Sequence, residues 1–279
     1  MDKAEEIALE EKWQKADFKN NNVFTWVVSE NEDICLELLQ MILPELNISE
    51  IKEIQKEDSI KNSDIFRGVR FDVFVTDVTG RMYDIEMQIA NYHDLSKRMS
   101  YYQSNLVGRS LKAGQSFVEK VDTYVIFICD FDFGGAGLAK YTTNLVLAET
   151  GKVLDTGEHN IILNVKAKDF STVSKSLKSF LEFVNNGIVT DTFTGRIEAG
   201  IVELKKNTGK RSHFMDYEQH IATERYYARQ EARTAMIEQT IKSLVEKGYS
   251  KEKIVADIAN FNCLEPSEVE KVYDGLFLK

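Results

Sequence analysis

Three carboxylates, Asp72, Asp84 and Glu86, fall within the stretch RFDVFVTDVTGRMYDIEMQ, Arg70 to Gln88. Read as two strands, this stretch alternates, because successive side chains in a strand point to opposite faces. Val69, Phe71, Val73 and Val75 form an apolar row, and Arg70, Asp72, Phe74 and Thr76 form the other. On the returning strand Tyr83, Ile85, Met87 and Ile89 continue the apolar face, while Asp84, Glu86 and Gln88 share the polar one. A three-residue loop of Val78, Thr79 and Gly80, with Gly80 left-handed, pairs Asp77 with Arg81. That register sets Asp72 opposite Glu86 and Arg70 opposite Gln88. Facing residues have Cβ atoms roughly 4.5–5.5 Å apart, and like charges there are destabilising.

A hard divalent cation between the two acids removes the conflict. Mg²⁺ takes oxygen ligands, commonly one or two protein carboxylates completed by water and substrate phosphate. Such an ion, or Mn²⁺ in its place, polarises a phosphodiester and lowers the pKa of a bound water. The plainer reading is a hairpin with one solvated face, its acids mere polar filler. Strands are normally depleted in Asp, which counts against that reading.

The surrounding pattern predicts the elements that would hold these residues. Ile34, Cys35, Leu38, Leu39 and Ile42 recur at helical spacing before Pro44, and ISEIKEIQKE reads as a first strand. After the hairpin, HDLSKRMSYYQSNLVGRSLKAG reads as a helix capped by Asp94 and closed by Gly114. DTYVIFICDF is a continuous apolar run of strand length, as expected of a strand covered on both faces. KYTTNLVLAE and HNIILNVKA read as two further strands, and from Asp169 onward the chain reads mainly as helix. The fold class is therefore α/β or α+β, a central sheet flanked by helices. The polar, basic stretch KKNTGKRSH marks a boundary, giving a first domain over 17–204 and a helical C-terminal extension over 205–279.

The chain has 279 residues, 43% apolar and 29% charged, a globular composition with a net charge of −10. That charge excludes a broadly nucleic-acid-coating surface, because phosphate binding rests on Lys and Arg, but leaves room for a local basic groove. The N-terminal MDKAEEIALEEKW is too charged for a secretory signal, and the longest apolar run, YVIFIC, is far too short to span a bilayer. A cytoplasmic protein with no membrane partner is expected. Cys35, Cys129 and Cys263 stand far apart, as do the four histidines, so buried thiols are expected rather than a zinc site.

Asp72 followed by Asp-Ile-Glu-Met-Gln at 84–88 resembles the PD-(D/E)XK nuclease superfamily. Within it the chain is similar to the PD-(D/E)XK family transposases, or Rpn-type recombination-promoting nucleases. The likeness also runs through NNVFTWVVSENEDICLELLQMILPEL, LSKRMSYYQSNL and YVIFICDFDFGGAGLAKYT. The resemblance implies a restriction-endonuclease-like core and a Mg²⁺- or Mn²⁺-dependent DNA endonuclease that hydrolyses phosphodiester bonds. The alternative is a nuclease-fold protein that has lost cleavage and binds nucleic acid or assembles. Carried over, Asp72, Glu86 and Gln88 are the catalytic residues, Asp72 and Glu86 are the metal-binding acids and the Met87 carbonyl is a further ligand; Gln88 stands at the position of the superfamily motif's lysine, in the IEMQ form that the transposase-like family itself shows. Gln88 can only hydrogen-bond where lysine would bring charge. Asp84 is left between supporting the site and being solvated, with solvation favoured.

The helix after the hairpin presents Arg98, Tyr102, Asn105 and Arg109 on one side, a stripe suited to backbone phosphates or to ordinary surface packing. Leu95, Met99, Leu106 and Leu111 are expected to face the core. Gln103, in the family's RxxYYQ pattern, is expected to reach the site, and Arg70 completes the set of candidate DNA contacts. Glu37 reads as a solvated helix residue. In the extension, Arg225, Arg229 and Arg233 line one helix beside Glu224, Glu231 and Glu238, the pattern of a salt-bridged surface. GYSKEKIVADIANFNCLEPSEVEKVYDGL reads as two short helices capped by Ser250 and Ser267, an element for packing or homodimer formation.

Overall fold

The computed structural model describes residues 3–60, 69–262 and 264–277. Two compact units divide between Arg211 and Ser212. The first opens with helices α1 (Lys3–Lys15), α2 (Asn21–Glu30) and α3 (Glu32–Ile42). Strands β1 (Ile51–Ile60), β2 (Val69–Asp77) and β3 (Met82–Gln88) follow, then α4 (Leu95–Ser110) and β4 (Thr123–Cys129). Short β5 (Lys140–Thr143), β6 (Glu158–Asn164), α5 (Lys175–Asn186) and α6 (Thr192–Lys206) complete it. The sheet order is β1-β2-β3-β4-β6-β5. β1, β2 and β3 run antiparallel, whereas β3, β4 and β6 are parallel, so the sheet is mixed.

β4 is buried along its whole length, as its unbroken apolar run predicts. Val125, Phe127 and Cys129 join Phe74 and Ile162 in a cluster with Leu95, Met99 and Leu106 of α4. The alternate residues Ile126 and Ile128 are equally buried, and a second helical layer forms where α2 packs on β1, β2, α3 and α6. The expected α4 core residues are therefore in place except Leu111, which is half-buried beyond the helix end. α4 ends at Ser110 rather than at Gly114, and Asp94 makes no side-chain cap bond. The expected strand over KYTTNLVLAE is limited to four residues; beyond Thr143 only an isolated bridge, Val146 to Val153, continues it. Cys35 and Cys129 are buried free thiols, and Cys263 lies outside the described residues.

The hairpin adopts the expected register. Val73 pairs with Ile85 and Phe74 with Asp84, the Asp77 N–H donates to the Arg81 carbonyl at 3.1 Å, and Gly80 is left-handed at φ 89°. Simple alternation fails at its open end. Phe71 and Phe74, three apart, both enter the α4 cluster and stack at 6.1 Å, so β2 turns about its axis between them. The side chain of Val69, counted in the apolar row above, lies outside the described residues.

The second unit contains most of α7 (Thr208–Glu246), then α8 (Lys251–Asn262) and α9 (Pro266–Phe277). Ile237, Ile241, Ile254, Ile258 and Val269 form its core. Ser250 accepts a weak cap bond from the Lys253 N–H at 3.5 Å. Ser267 instead lies inside α9, whose first residue is Pro266, a position where the missing N–H costs nothing. Among the described residues no helix is long and apolar enough to cross a membrane.

Candidate functional site

The β2–β3 ladder stops at the Val73–Ile85 pair. Beyond it the two acids cross the gap and bond to each other's strands. The Asp72 N–H donates to Glu86 Oε1 at 2.8 Å, and the Met87 N–H donates to Asp72 Oδ2 at 3.2 Å. Side-chain carboxylates thus replace backbone carbonyls as acceptors where the strands part. In a strand the N–H and C=O of one residue address the same neighbour, so the Met87 carbonyl is directed at the gap as well.

Asn21, in the first turn of α2, donates from its amide to Asp72 Oδ1 at 2.9 Å. Its place is fixed by Asn20, whose side chain caps the helix by accepting from the N–H groups of Asn22 and Val23. Nothing in the sequence marked Asn21, because the contact spans 51 residues. Asp84 is fully buried, which corrects the expectation that it is solvated, and its carboxyl interacts with Glu86. Asp72 is 5% and Glu86 3% exposed. Burial pushes the Asp72 carboxyl up to about 6, against the opposing hydrogen bonds from Asn21 and Met87. Burial, and then the charges of Asp72 and Asp84, push Glu86 well above the ordinary carboxylate range.

Arg98 reaches this face from α4. Its guanidinium donates to Gln88 Oε1, lies 3.8 Å from Glu86 Oε2, and donates to the Tyr102 hydroxyl at 3.4 Å. It rests against the rings of Tyr102 and Phe127, 5.5 and 5.4 Å from their centroids. Burial, followed by the charge of Glu86, pushes the Tyr102 hydroxyl up to about 12. Gln88 is engaged at both ends, since its Nε2 also donates to the Ala90 carbonyl at 2.5 Å.

The structure therefore brings Asp72, Glu86, Met87, Gln88, Arg98 and Tyr102 together. It places Gln103 elsewhere: buried, and donating to Thr123 Oγ1 at 2.5 Å at the start of β4. Thr123 pairs with Met82 and Phe127 with Glu86, a separation of about 13 Å at the usual rise per residue. The reach of Gln103 to the acids is corrected accordingly, because its side chain faces the amino end of the parallel strands. Arg109 lies over Phe74 and Phe71, 5.0 and 5.7 Å from the ring centroids, and Arg70 is exposed beside Asp72. Glu37 bonds to Arg196 of α6, as does Asp33, and takes no part in this face.

Among the described residues no group of three or more His, Cys, Asp and Glu side chains is arranged to hold a metal ion. The donor set nevertheless fits a hard divalent cation, which needs only one or two carboxylates with water and phosphate. Asp72 and Glu86 each retain lone pairs beyond the single N–H bonds drawn to their oxygens. A cation between them also relieves the repulsion that keeps both from ionising together.

The family model described as PD-(D/E)XK nuclease family transposase covers residues 14–192. No curated protein and no solved structure matched the chain. The matched residues contain α2, the hairpin, α4 and β4, every element that supplies a side chain to the face described above. The chain belongs to the PD-(D/E)XK nuclease family transposases.

Proposed function

We propose that the chain is a divalent-metal-dependent DNA endonuclease, hydrolysing phosphodiester bonds in recombination or in the movement of DNA elements. The observation that carries this reading is the crossed pair at the open end of the hairpin, where Asp72 and Glu86 are buried together and bonded to opposite strands. Fold stability alone gives no reason to bury adjacent carboxylates, and their shared need is a cation. Asp72, Glu86 and the Met87 carbonyl would hold Mg²⁺ or Mn²⁺. When bound, the ion supplies Lewis-acid polarisation of the phosphate and a more acidic water.

The chain's own residues do the rest. Asn21 and the Met87 N–H fix the Asp72 carboxylate, and the Asp72 N–H fixes Glu86. Gln88 holds the Arg98 guanidinium beside Glu86. Arg70, exposed near Asp72, would contact a backbone phosphate. A second reading, a nuclease-fold binding module without cleavage, is favoured by the near-complete burial of Glu86 at 3% exposure.

Purified full-length protein incubated with plasmid, single-stranded DNA and RNA in Mg²⁺, Mn²⁺ or EDTA decides between them. DNA cleavage that needs divalent metal and falls at least about 100-fold in Asp72→Ala and in Glu86→Ala is the expected result. Absence of cleavage with every ion, or full cleavage by both variants, overturns the nuclease reading.

A further inference from the structure

The family's name spells a lysine two residues past the second acid, where this chain has Gln88. Gln88 cannot supply the missing charge, and both ends of its amide are already engaged, by the Ala90 carbonyl and by Arg98. We infer that Arg98 takes the place of that lysine: its guanidinium, clamped by Gln88, delivers from α4 the positive charge that the superfamily motif carries on the strand. For its consequence in catalysis the inference rests on the nuclease reading.

Four features single out Arg98. It bonds the residue that replaces the lysine, and it lies 3.8 Å from the second acid. Its plane is braced by the rings of Tyr102 and Phe127 and by the Tyr102 hydroxyl, which limits where the charge can go. The three acids Asp72, Asp84 and Glu86 are buried, so a cation beside them favours the ionised form of Glu86 before any metal arrives. A guanidinium also has five donors in a fixed fork, so it can hold Gln88 and Tyr102 and still present N–H groups to a phosphate oxygen. A strand-borne ammonium would be a mobile point charge. The Gln88–Arg98 pair makes a fixed one, set by helix–sheet packing.

This arrangement changes what a lysine at position 88 should do. Beside Arg98 it places two cations on one face; in the absence of Arg98 it restores the superfamily motif. The test is a double-mutant cycle on the full chain with Arg98→Met, Gln88→Lys and both together, since methionine keeps the packing against Phe127 and Tyr102. In EDTA, Arg98→Met is expected to lower the melting temperature by about 5 °C, Gln88→Lys alone to lower it as well, and the double variant to recover at least half of the Arg98→Met loss. Cleavage should follow the same pattern, with Arg98→Met reduced about 100-fold and the double variant restored at least tenfold.

Equal effects of Gln88→Lys in both backgrounds overturn the inference. Should Arg98→Met fail to fold, recovery of folding by Gln88→Lys supports the inference and a double variant as unfolded as the single rejects it. A parent that cleaves nothing defeats the nuclease reading, and the melting cycle in EDTA then judges the Arg98 assignment alone.

Discussion

At the turn end of the β2–β3 hairpin, Asp77 is 1% exposed and surrounded by donors. Its Oδ1 accepts from the Thr79 N–H at 2.8 Å, the Thr79 hydroxyl at 2.6 Å and the Arg81 N–H at 3.1 Å, and its Oδ2 from the Tyr83 hydroxyl at 2.8 Å. At the open end Asp72 and Glu86 are buried to a similar degree, yet each is the other's repulsive neighbour. One carboxylate is buried with local partners that close a turn. The other two are buried where the ladder has been opened to receive them. Burial alone therefore does not mark a functional acid; in the proposed nuclease, burial of two acids across an opened ladder does.

Isosteric amides separate the two ends most sharply. Glu86→Gln keeps an acceptor for the Asp72 N–H and removes a charge, so cleavage should fall about 1,000-fold while the melting temperature in EDTA stays level or rises. Asp77→Asn should do the reverse. Its amide nitrogen cannot accept from the Tyr83 hydroxyl, which leaves a buried donor without its acceptor at about 2 kcal/mol, or roughly 4–8 °C. Cleavage per folded molecule should not change. Similar melting losses in both variants would erase the distinction between the ends.

The sequence carried the turn end almost in full. Gly80, the alternation of Val73 to Thr76 and the polar set Asp84, Glu86, Gln88 are local signals, and local signals determine register. The open end was legible only as a pair of facing acids. That Asp84 is buried depends on α4 covering this face, and that Phe71 leaves its row depends on a twist of β2 that alternation cannot express. Asn21 reaches Asp72 through the docking of α2, and Gln103 misses the site because the amino and carboxyl ends of β3 are indistinguishable in a spacing pattern. Long-range packing decided each of these.

Proton linkage gives a gentler way to test the open end. Asp72 titrates near 6 in the folded chain against 3.8 ordinarily, so the folded state binds a proton more tightly than the unfolded one. Its stabilising effect is complete below the unfolded value and is lost as the pH rises through the folded one. In EDTA the unfolding free energy read from urea titrations should therefore fall between about pH 4 and pH 7, by no more than ~1.4 kcal/mol per pH unit from this group, and the urea midpoint with it. Asp72→Asn should flatten that fall. A parent midpoint that rises over the same range would mean the acids are ionised and compensated, and the contrast with Asp77 would lose its electrostatic basis.

Asn21 offers the smallest effect and the finest discrimination. Its bond to Asp72 Oδ1 favours the carboxylate, so removing it raises the Asp72 pKa further above about 6. Ion binding needs the deprotonated acid. In Asn21→Ala the apparent Mn²⁺ affinity should accordingly drop about tenfold near pH 6 and by less near pH 8, where Asp72 is ionised with or without its partner. Only the loss of orientation remains at the higher pH. Titration of the purified variant with Mn²⁺ at the two pH values separates the contributions: a loss of equal size at both would make Asn21 a purely geometric support, and no loss at either would remove α2 from the site.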